Sequence, residues 1–329
     1  MKILIQGDPL RYERYSPGLD IQKTSQVVFI PRDADNAAVL AGGTDADVMF
    51  VDAISRVNGN LIRKMKNLKM IHSEGVAFDG IDTDTARELG VYVCNNKGAN
   101  AGAVAEQAIF LMLALLRTGI SGDAAVRAGR QIEMKERRML EGITDLGDCR
   151  VGLVGLGDIG LATARRLSAF GCRLCYYSPH RKSAEIEAQY GLEYLPLHKL
   201  AAVSDIVSLH AAVTPETRGM IDETFLSRMK RESILINTAR GDLVDNNALR
   251  AALIQGLIAG AGLDTVAPEP VTADNPLVNL PESCRNRVVF SPHLGGITTG
   301  SFRRMHRTLW ENAARIGRGE KPVNIVNGL

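Results

Sequence analysis

Short apolar runs recur through the first hundred residues, each separated from the next by a stretch of mixed polarity. β-rich runs fall at 2–6, 26–30, 47–51, 70–73 and 91–94, and residues 83–89 read as a helix that Gly90 ends. Alternation of strand-like and helix-like segments predicts an α/β layer on a parallel sheet. A long segment from about 101 to 128 follows the turn residues Lys97-Gly-Ala-Asn100, with Ala, Leu and Met filling its interior. It reads as one helix, too long and apolar for a surface position, that links two domains or packs against a second subunit. A second α/β series then begins. Strands are expected at 150–154, 173–177, 206–210, 233–237, 260–263 and 288–290. Helices are expected at 161–170, 185–190, 222–228 and 246–255. From Gly295 a last helical stretch runs to about 316 and is expected to cross back to the first domain. No internal repeat or low-complexity segment is present.

Composition narrows the class without naming it. The 329 residues suit about two domains, and 45% hydrophobic with 23% charged residues is ordinary for a soluble globular chain. A formal net charge of +2 makes no bulk electrostatic case for nucleic acid or a membrane surface. The N-terminal Met-Lys-Ile-Leu-Ile-Gln-Gly reads as a strand entering a turn, without the apolar core and cleavage site of a signal peptide. The longest apolar run, 108–116, is far short of the ~20 residues of a membrane span. Five cysteines form no even framework. Cys172 and Cys175 have redox-motif spacing but lie in a strand-like stretch that points them to opposite faces, so no shared metal or disulfide is expected. A reducing, cytoplasmic setting follows.

The chemistry lies in the second half. Gly155-Leu-Gly157-Asp158-Ile159-Gly160 follows an apolar strand and precedes a helix, the context a dinucleotide-binding loop requires. Its glycines allow a tight turn, backbone approach to a pyrophosphate and close helix packing, and the helix N-terminus offers N–H groups to phosphate. The end of the next strand decides the cofactor. It reads Tyr176-Tyr177-Ser178-Pro179-His180-Arg181, with no carboxylate to grip the ribose hydroxyls of NAD. A hydroxyl at Ser178 and a guanidinium at Arg181 suit a 2′-phosphate, which favours NADP(H). Arg181 is alternatively a solvated charge at a helix end, in which case NAD(H) binds.

Arg240 follows a predicted strand at the carboxyl end, where ligands gather in open α/β sheets. Its fork suits a substrate carboxylate; the alternative is a structural ion pair. Glu269 lies between two prolines that restrict its backbone, and His293 follows Pro292 after another predicted strand. A carboxylate on one imidazole nitrogen fixes the tautomer, leaving the ring to give or take a proton as hydride moves.

These strings, with Leu235 through Val244, Gly262-Leu-Asp264 through Glu269-Pro270, Pro292-His293, Gly75 through Asp82 and Asn100 through Glu106, resemble the D-isomer-specific 2-hydroxyacid dehydrogenases over nearly the whole chain. The resemblance implies α/β architecture in two Rossmann-like domains. A flavodoxin-like substrate domain would take 1–99 with 295–329 and a dinucleotide-binding domain 100–294, with the active site in the cleft between them. It implies hydride transfer between a nicotinamide cofactor and a small 2-oxo or D-2-hydroxy acid. Arg240 would bind the substrate carboxylate with the Val76 and Ala77 amides, and Glu269 would support His293. Thr238 and Ala239 would lie against the nicotinamide and Asp264 would contact its carboxamide. A homodimer built on the helix from Ala101 is implied as well, and no metal. Glu74 and Val266-Ala-Pro depart from the usual pattern. If Glu74 faces the cleft, it disfavours dicarboxylic substrates. Two rivals share the fold: a formate- or phosphite-type dehydrogenase, which Glu269 in place of glutamine disfavours, and a nucleotide-sensing scaffold or corepressor, which the intact Arg, Glu and His set disfavours.

Overall fold

Ile3-Leu4-Ile5, Val48-Met49-Phe50-Val51 and Met70-Ile71 are fully buried on both faces, the pattern of parallel strands covered by helices above and below. They belong to β1 (Lys2–Gln6), β2 (Gln26–Ile30), β3 (Val48–Val51), β4 (Met70–Ser73) and β5 (Tyr92–Cys94). All pair in parallel in the order β2-β1-β3-β4-β5, the flavodoxin-like order with its switch point between β1 and β3. The computed structural model describes all 329 residues and divides into two units, Met1–Asn100 with Ile297–Leu329, and Ala101–Gly296. In the first unit, Leu4, Met49, Val51 and Ile71 pack on one side of the sheet with Val39, Leu61, Ile62 and Ala86. Ile3, Ile5, Val48, Phe50 and Met70 face the other side, against Leu309, Trp310, Ala313 and Ile316 of the helix Thr299–Gly317. That helix begins four residues later than Gly295 because Thr298 caps it, its hydroxyl accepting from the Ser301 amide at 3.1 Å.

The second unit holds β6 (Arg150–Val154), β7 (Arg173–Tyr177), β8 (Leu192–Tyr194), β9 (Ile206–Leu209), β10 (Ile234–Asn237), β11 (Gly260–Leu263) and β12 (Val288–Phe290). Their order, β12-β11-β10-β9-β6-β7-β8, is the dinucleotide-binding order with one added strand, and the sheet is parallel throughout. β8 escaped the sequence reading because only Leu192 of its three residues is buried.

The segment 101–128 is not one helix. Ala101–Leu116 and Gly119–Arg127 meet at 56° about Thr118, whose φ of 49° lies in the left-handed region. The first piece is core. Ala108, Leu111 and Met112 pack with Val151, Leu153, Leu167 and Ile236, so the apolar run mostly covers the seven-stranded sheet. A further helix, Gln131–Glu141, has no buried residue and therefore left no clear apolar pattern. No single helix is long and apolar enough to cross a membrane. The five cysteines are free, and Cys172 lies just before β7, not in it.

Candidate active site

The glycine loop connects β6 to the helix Asp158–Ala169, which starts inside the motif, three residues before the expected position. Gly155 has φ +94°, and a Cβ there would stand 2.7 Å from the Ala211 amide nitrogen and the His210 carbonyl carbon at the end of β9. Only glycine meets both demands. Gly160 packs on the Gly155 carbonyl, leaving 2.4 Å for a side chain. Gly157 is the N-cap, so no side chain satisfies the first amides of the helix, Asp158 is exposed, and a Cβ on Gly157 would meet nothing within 4 Å. Open space in front of uncapped amides fits a pyrophosphate.

Ser178 follows β7 and is partly buried, but Arg181 is already held. Its Nε and Nη2 each donate to Glu187 at 2.8 Å, and its guanidinium lies 5.5 Å from the Tyr194 ring centre. The Tyr176 hydroxyl donates to the same carboxylate at 2.7 Å and accepts from the Lys182 amide at 2.8 Å. Hydrogen bonds from Arg181 and then Tyr176 hold the Glu187 carboxyl down to about 2, so it is ionised.

The chemical groups gather on the loops after β10, β11 and β12. Asn237 ends β10 and folds the next turn back: its Nδ2 donates to the Arg240 carbonyl at 2.8 Å and its Oδ1 accepts from the Ala239 amide at 3.0 Å. Gly241 lets this turn lie on the following loop, since a Cβ there would fall 2.1 Å from the Ala267 nitrogen. Arg240 is exposed and pairs with no carboxylate; Nη1 donates only to the Ala239 carbonyl at 2.7 Å. The structural ion pair weighed as its alternative is therefore absent. Thr238 and Ala239 are buried, the Thr238 hydroxyl without a partner.

Asp264 follows β11 at 3% exposure and holds the loop after β12. Ser291 Oγ and the Leu294 amide donate to Oδ1, the latter at 3.0 Å, and the Gly295 amide donates to Oδ2 at 2.8 Å. A buried carboxylate with both oxygens engaged anchors the loop, while Oδ2, with one donor, keeps capacity for a second. The loop carries His293 at φ 55°, a rare conformation for a residue with a side chain, pinned by its amide to the Asp264 and Ser291 carbonyls at 2.9 and 3.0 Å. His293 Nδ1 lies 3.0 and 2.9 Å from the two Glu269 oxygens. Nδ1 therefore carries the proton of the neutral ring, and Nε2 is left without a partner.

In the first unit, the turn after β4 has its carbonyls tied and two amides open. The Glu74 carbonyl accepts from Asn96, Val76 from Asn95 and Ala77 from Ser73 Oγ, while the Gly75 carbonyl accepts from the Asn96 amide. The Val76 and Ala77 amides have no partner, which leaves two backbone N–H groups open. Glu74 does not face solvent. It is 4% exposed, paired with Arg11 at 2.5 Å and His306 at 2.8 Å, so it offers no free charge against a second substrate carboxylate.

Residues 109–295 match the family described as D-isomer specific 2-hydroxyacid dehydrogenase, NAD binding domain. A glyoxylate reductase of Korarchaeum cryptofilum is 38% identical over 86% of this chain and 83% of its own length. The chain belongs to the D-isomer-specific 2-hydroxyacid dehydrogenases. Solved structures agree. D-mandelate dehydrogenase of Rhodotorula graminis superposes with a TM-score of 0.87 at 28% identity over 99% of this chain and 97% of that one. The NADPH-dependent glyoxylate/hydroxypyruvate reductase of Sinorhizobium meliloti, solved with citrate, gives 0.81 at 28% over the same shares. The protein is thus a hydride-transfer oxidoreductase of 2-oxo and 2-hydroxy acids with a nicotinamide-binding domain.

Sequence reading of this dehydrogenase missed Arg11, Glu187 and His306 as site neighbours. Glu187 left one signal, an acid on the helix just after Arg181. The partners of Glu74 left none, since His306 is 232 residues away. Burial pushes the His72 and His210 imidazoles down to about 4, so each is neutral in the folded protein near neutral pH.

Proposed function

We propose that this dehydrogenase reduces a small 2-oxo acid to the D-2-hydroxy acid, with His293 as the proton donor. The observation that carries the reading is the His293–Glu269 pair. Glu269 holds Nδ1 with both oxygens and leaves Nε2 unpartnered on a half-exposed ring, the arrangement of an oriented acid/base. Arg240, free of any carboxylate, binds the substrate carboxylate and polarises the neighbouring carbonyl. By the family resemblance, the open Val76 and Ala77 amides are further donors for a substrate carboxylate. Thr238 and Ala239 would lie against the nicotinamide of a bound cofactor, which would supply the hydride. In its protonated form the His293 ring gives the Nε2 proton to the carbonyl oxygen as hydride arrives, and in the reverse direction the neutral ring, its proton on Nδ1, takes the hydroxyl proton on Nε2. Asp264 serves by fixing the His293 loop. The strained φ of His293 fits a residue aimed by its surroundings.

NADP(H) is the preferred cofactor and NAD(H) a weaker one. The absence of an acid at the end of β7, with Ser178 and Arg181 in its place, supports this. A homodimer is supported by apolar residues that the single chain leaves uncovered: Phe110 at 50%, Ile120 at 57%, Ile132 at 62% and Leu140 at 90% exposed. Free cysteines fit a cytoplasmic setting.

The test is a screen of 2-oxo acids with NADPH and NADH in parallel, following oxidation of the cofactor by absorbance. Turnover of at least one small 2-oxo acid, lost in His293→Ala with cofactor affinity retained, is expected. Tight cofactor binding with no turnover of any acid would overturn the reading in favour of a binding scaffold.

A further inference from the structure

Arg181 and Glu187 form a forked pair, two parallel N–H···O bonds of 2.8 Å, beside the loop that follows β7. A guanidinium in this geometry has one of its two phosphate-matching edges, Nε with Nη2, covered by a carboxylate. Glu187 is itself fixed by the Tyr176 hydroxyl from a fully buried ring, so its side chain is 13% exposed while that of Arg181 is 63% exposed. The carboxylate is the held partner and the guanidinium the accessible one.

We propose that Glu187 is a specificity-determining residue: it competes with the 2′-phosphate of NADP(H) for Arg181 and so moderates the preference for NADP(H) over NAD(H). The inference rests on the reading of Arg181 as a ligand of that phosphate. When the phosphate arrives, Arg181 exchanges one anion for another, and the gain in affinity is reduced by the pair it gives up. Loss of the Glu187 charge releases the guanidinium without touching the glycine loop or the proton-transfer pair. Exposed ion pairs are weak, so the effect is modest, about two- to fivefold in affinity.

The test is calorimetric titration of the full chain with NADPH, NADH and adenosine 2′,5′-bisphosphate, which carries the phosphate without the nicotinamide. Glu187→Gln keeps an acceptor for the Tyr176 hydroxyl; it is expected to tighten NADPH and the bisphosphate about two- to fivefold and to leave NADH unchanged. Tyr176→Phe, which loosens Glu187, is expected to shift affinity in the same direction by less. Arg181→Gln is expected to weaken NADPH and the bisphosphate and to abolish the effect of Glu187→Gln in the double variant. Weakened NADPH in Arg181→Gln beside unchanged NADPH in Glu187→Gln would overturn the competition while leaving Arg181 as the phosphate ligand. Unchanged NADPH in Arg181→Gln would overturn both. Weakened NADH in Glu187→Gln would make Glu187 a ribose acceptor and overturn the proposal.

Discussion

The molecule holds two imidazole–carboxylate pairs of nearly equal length in opposite surroundings. His293 Nδ1 meets Glu269 at 2.9 Å with side chains 46% and 45% exposed, whereas His306 Nε2 meets Glu74 at 2.8 Å with side chains 0% and 5% exposed. The first pair stands on loops and touches no third charge. The second is enclosed: Arg11 reaches the other Glu74 oxygen at 2.5 Å and bridges on to Asp52 at 3.0 Å, and the His306 ring lies 4.6 Å from that of Tyr12 and 5.7 Å from that of Tyr15. An exposed pair contributes little to stability, so its positioning by Asp264 and a strained backbone points to chemistry. A carboxylate buried as deeply as Glu74 requires partners, and removing one exposes the fold to several kcal/mol. Residue type and distance do not separate a site from a scaffold. Exposure and the third partner do.

The largest effect that sharpens this contrast is on turnover. His293→Ala is expected to lower kcat by about 10²–10⁴ and to shift unfolding by no more than roughly 0.5 kcal/mol. Steady-state kinetics beside urea unfolding check both halves, and a large loss of stability would move the exposed pair into the structural class. Glu74→Ala should do the reverse to stability, costing about 3–5 kcal/mol, because Arg11 and His306 lose their shared carboxylate. A urea midpoint equal to that of the parent would break the comparison. Next comes pH. His72 and His210 titrate near 4 when folded, against an ordinary 6.5. Below pH 6.5 the unfolded chain binds protons that the folded chain refuses until about pH 4, so stability is complete above 6.5 and falls as pH drops through that window. The loss from pH 7 to pH 5 is about 2 kcal/mol per residue. Urea midpoints across that range check it, and His72→Gln should flatten the slope; an unchanged slope would remove His72 from the effect. Arg240→Lys has the smallest expected effect, roughly a tenfold rise in KM for the acid as a point charge replaces a fork. An unchanged KM for every accepted acid would strip Arg240 of its proposed contact.

Much of the fold was legible because its signals are local. Val48 through Val51 and Ile234 through Asn237 are buried throughout, and a run of that kind reads as a parallel strand without knowledge of its neighbours. The glycine loop was legible for the same reason, its three glycines and flanking strand and helix lying within a dozen or so residues. The break at Thr118 was not, although Arg117 and Gly119 are residues that can end a helix, because the bend depends on what each half packs against. The first half covers the sheet and the second keeps only Ala125 buried.

By itself, the sequence determined two α/β layers, a dinucleotide loop and the residue types for moving a hydride and a proton, because periodicity, glycine placement and short motifs act over a few residues. Only the tertiary structure decided which of those residues are free to act. Arg181 is clasped by Glu187, Asp264 is taken up by the loop it holds, and Glu74 is closed off by Arg11 and by His306 from 232 residues away, whereas Arg240 and the Nε2 of His293 remain open. The physical reason is that a charge acts according to its partners and its access to water, and both are set by chain segments that meet only after folding.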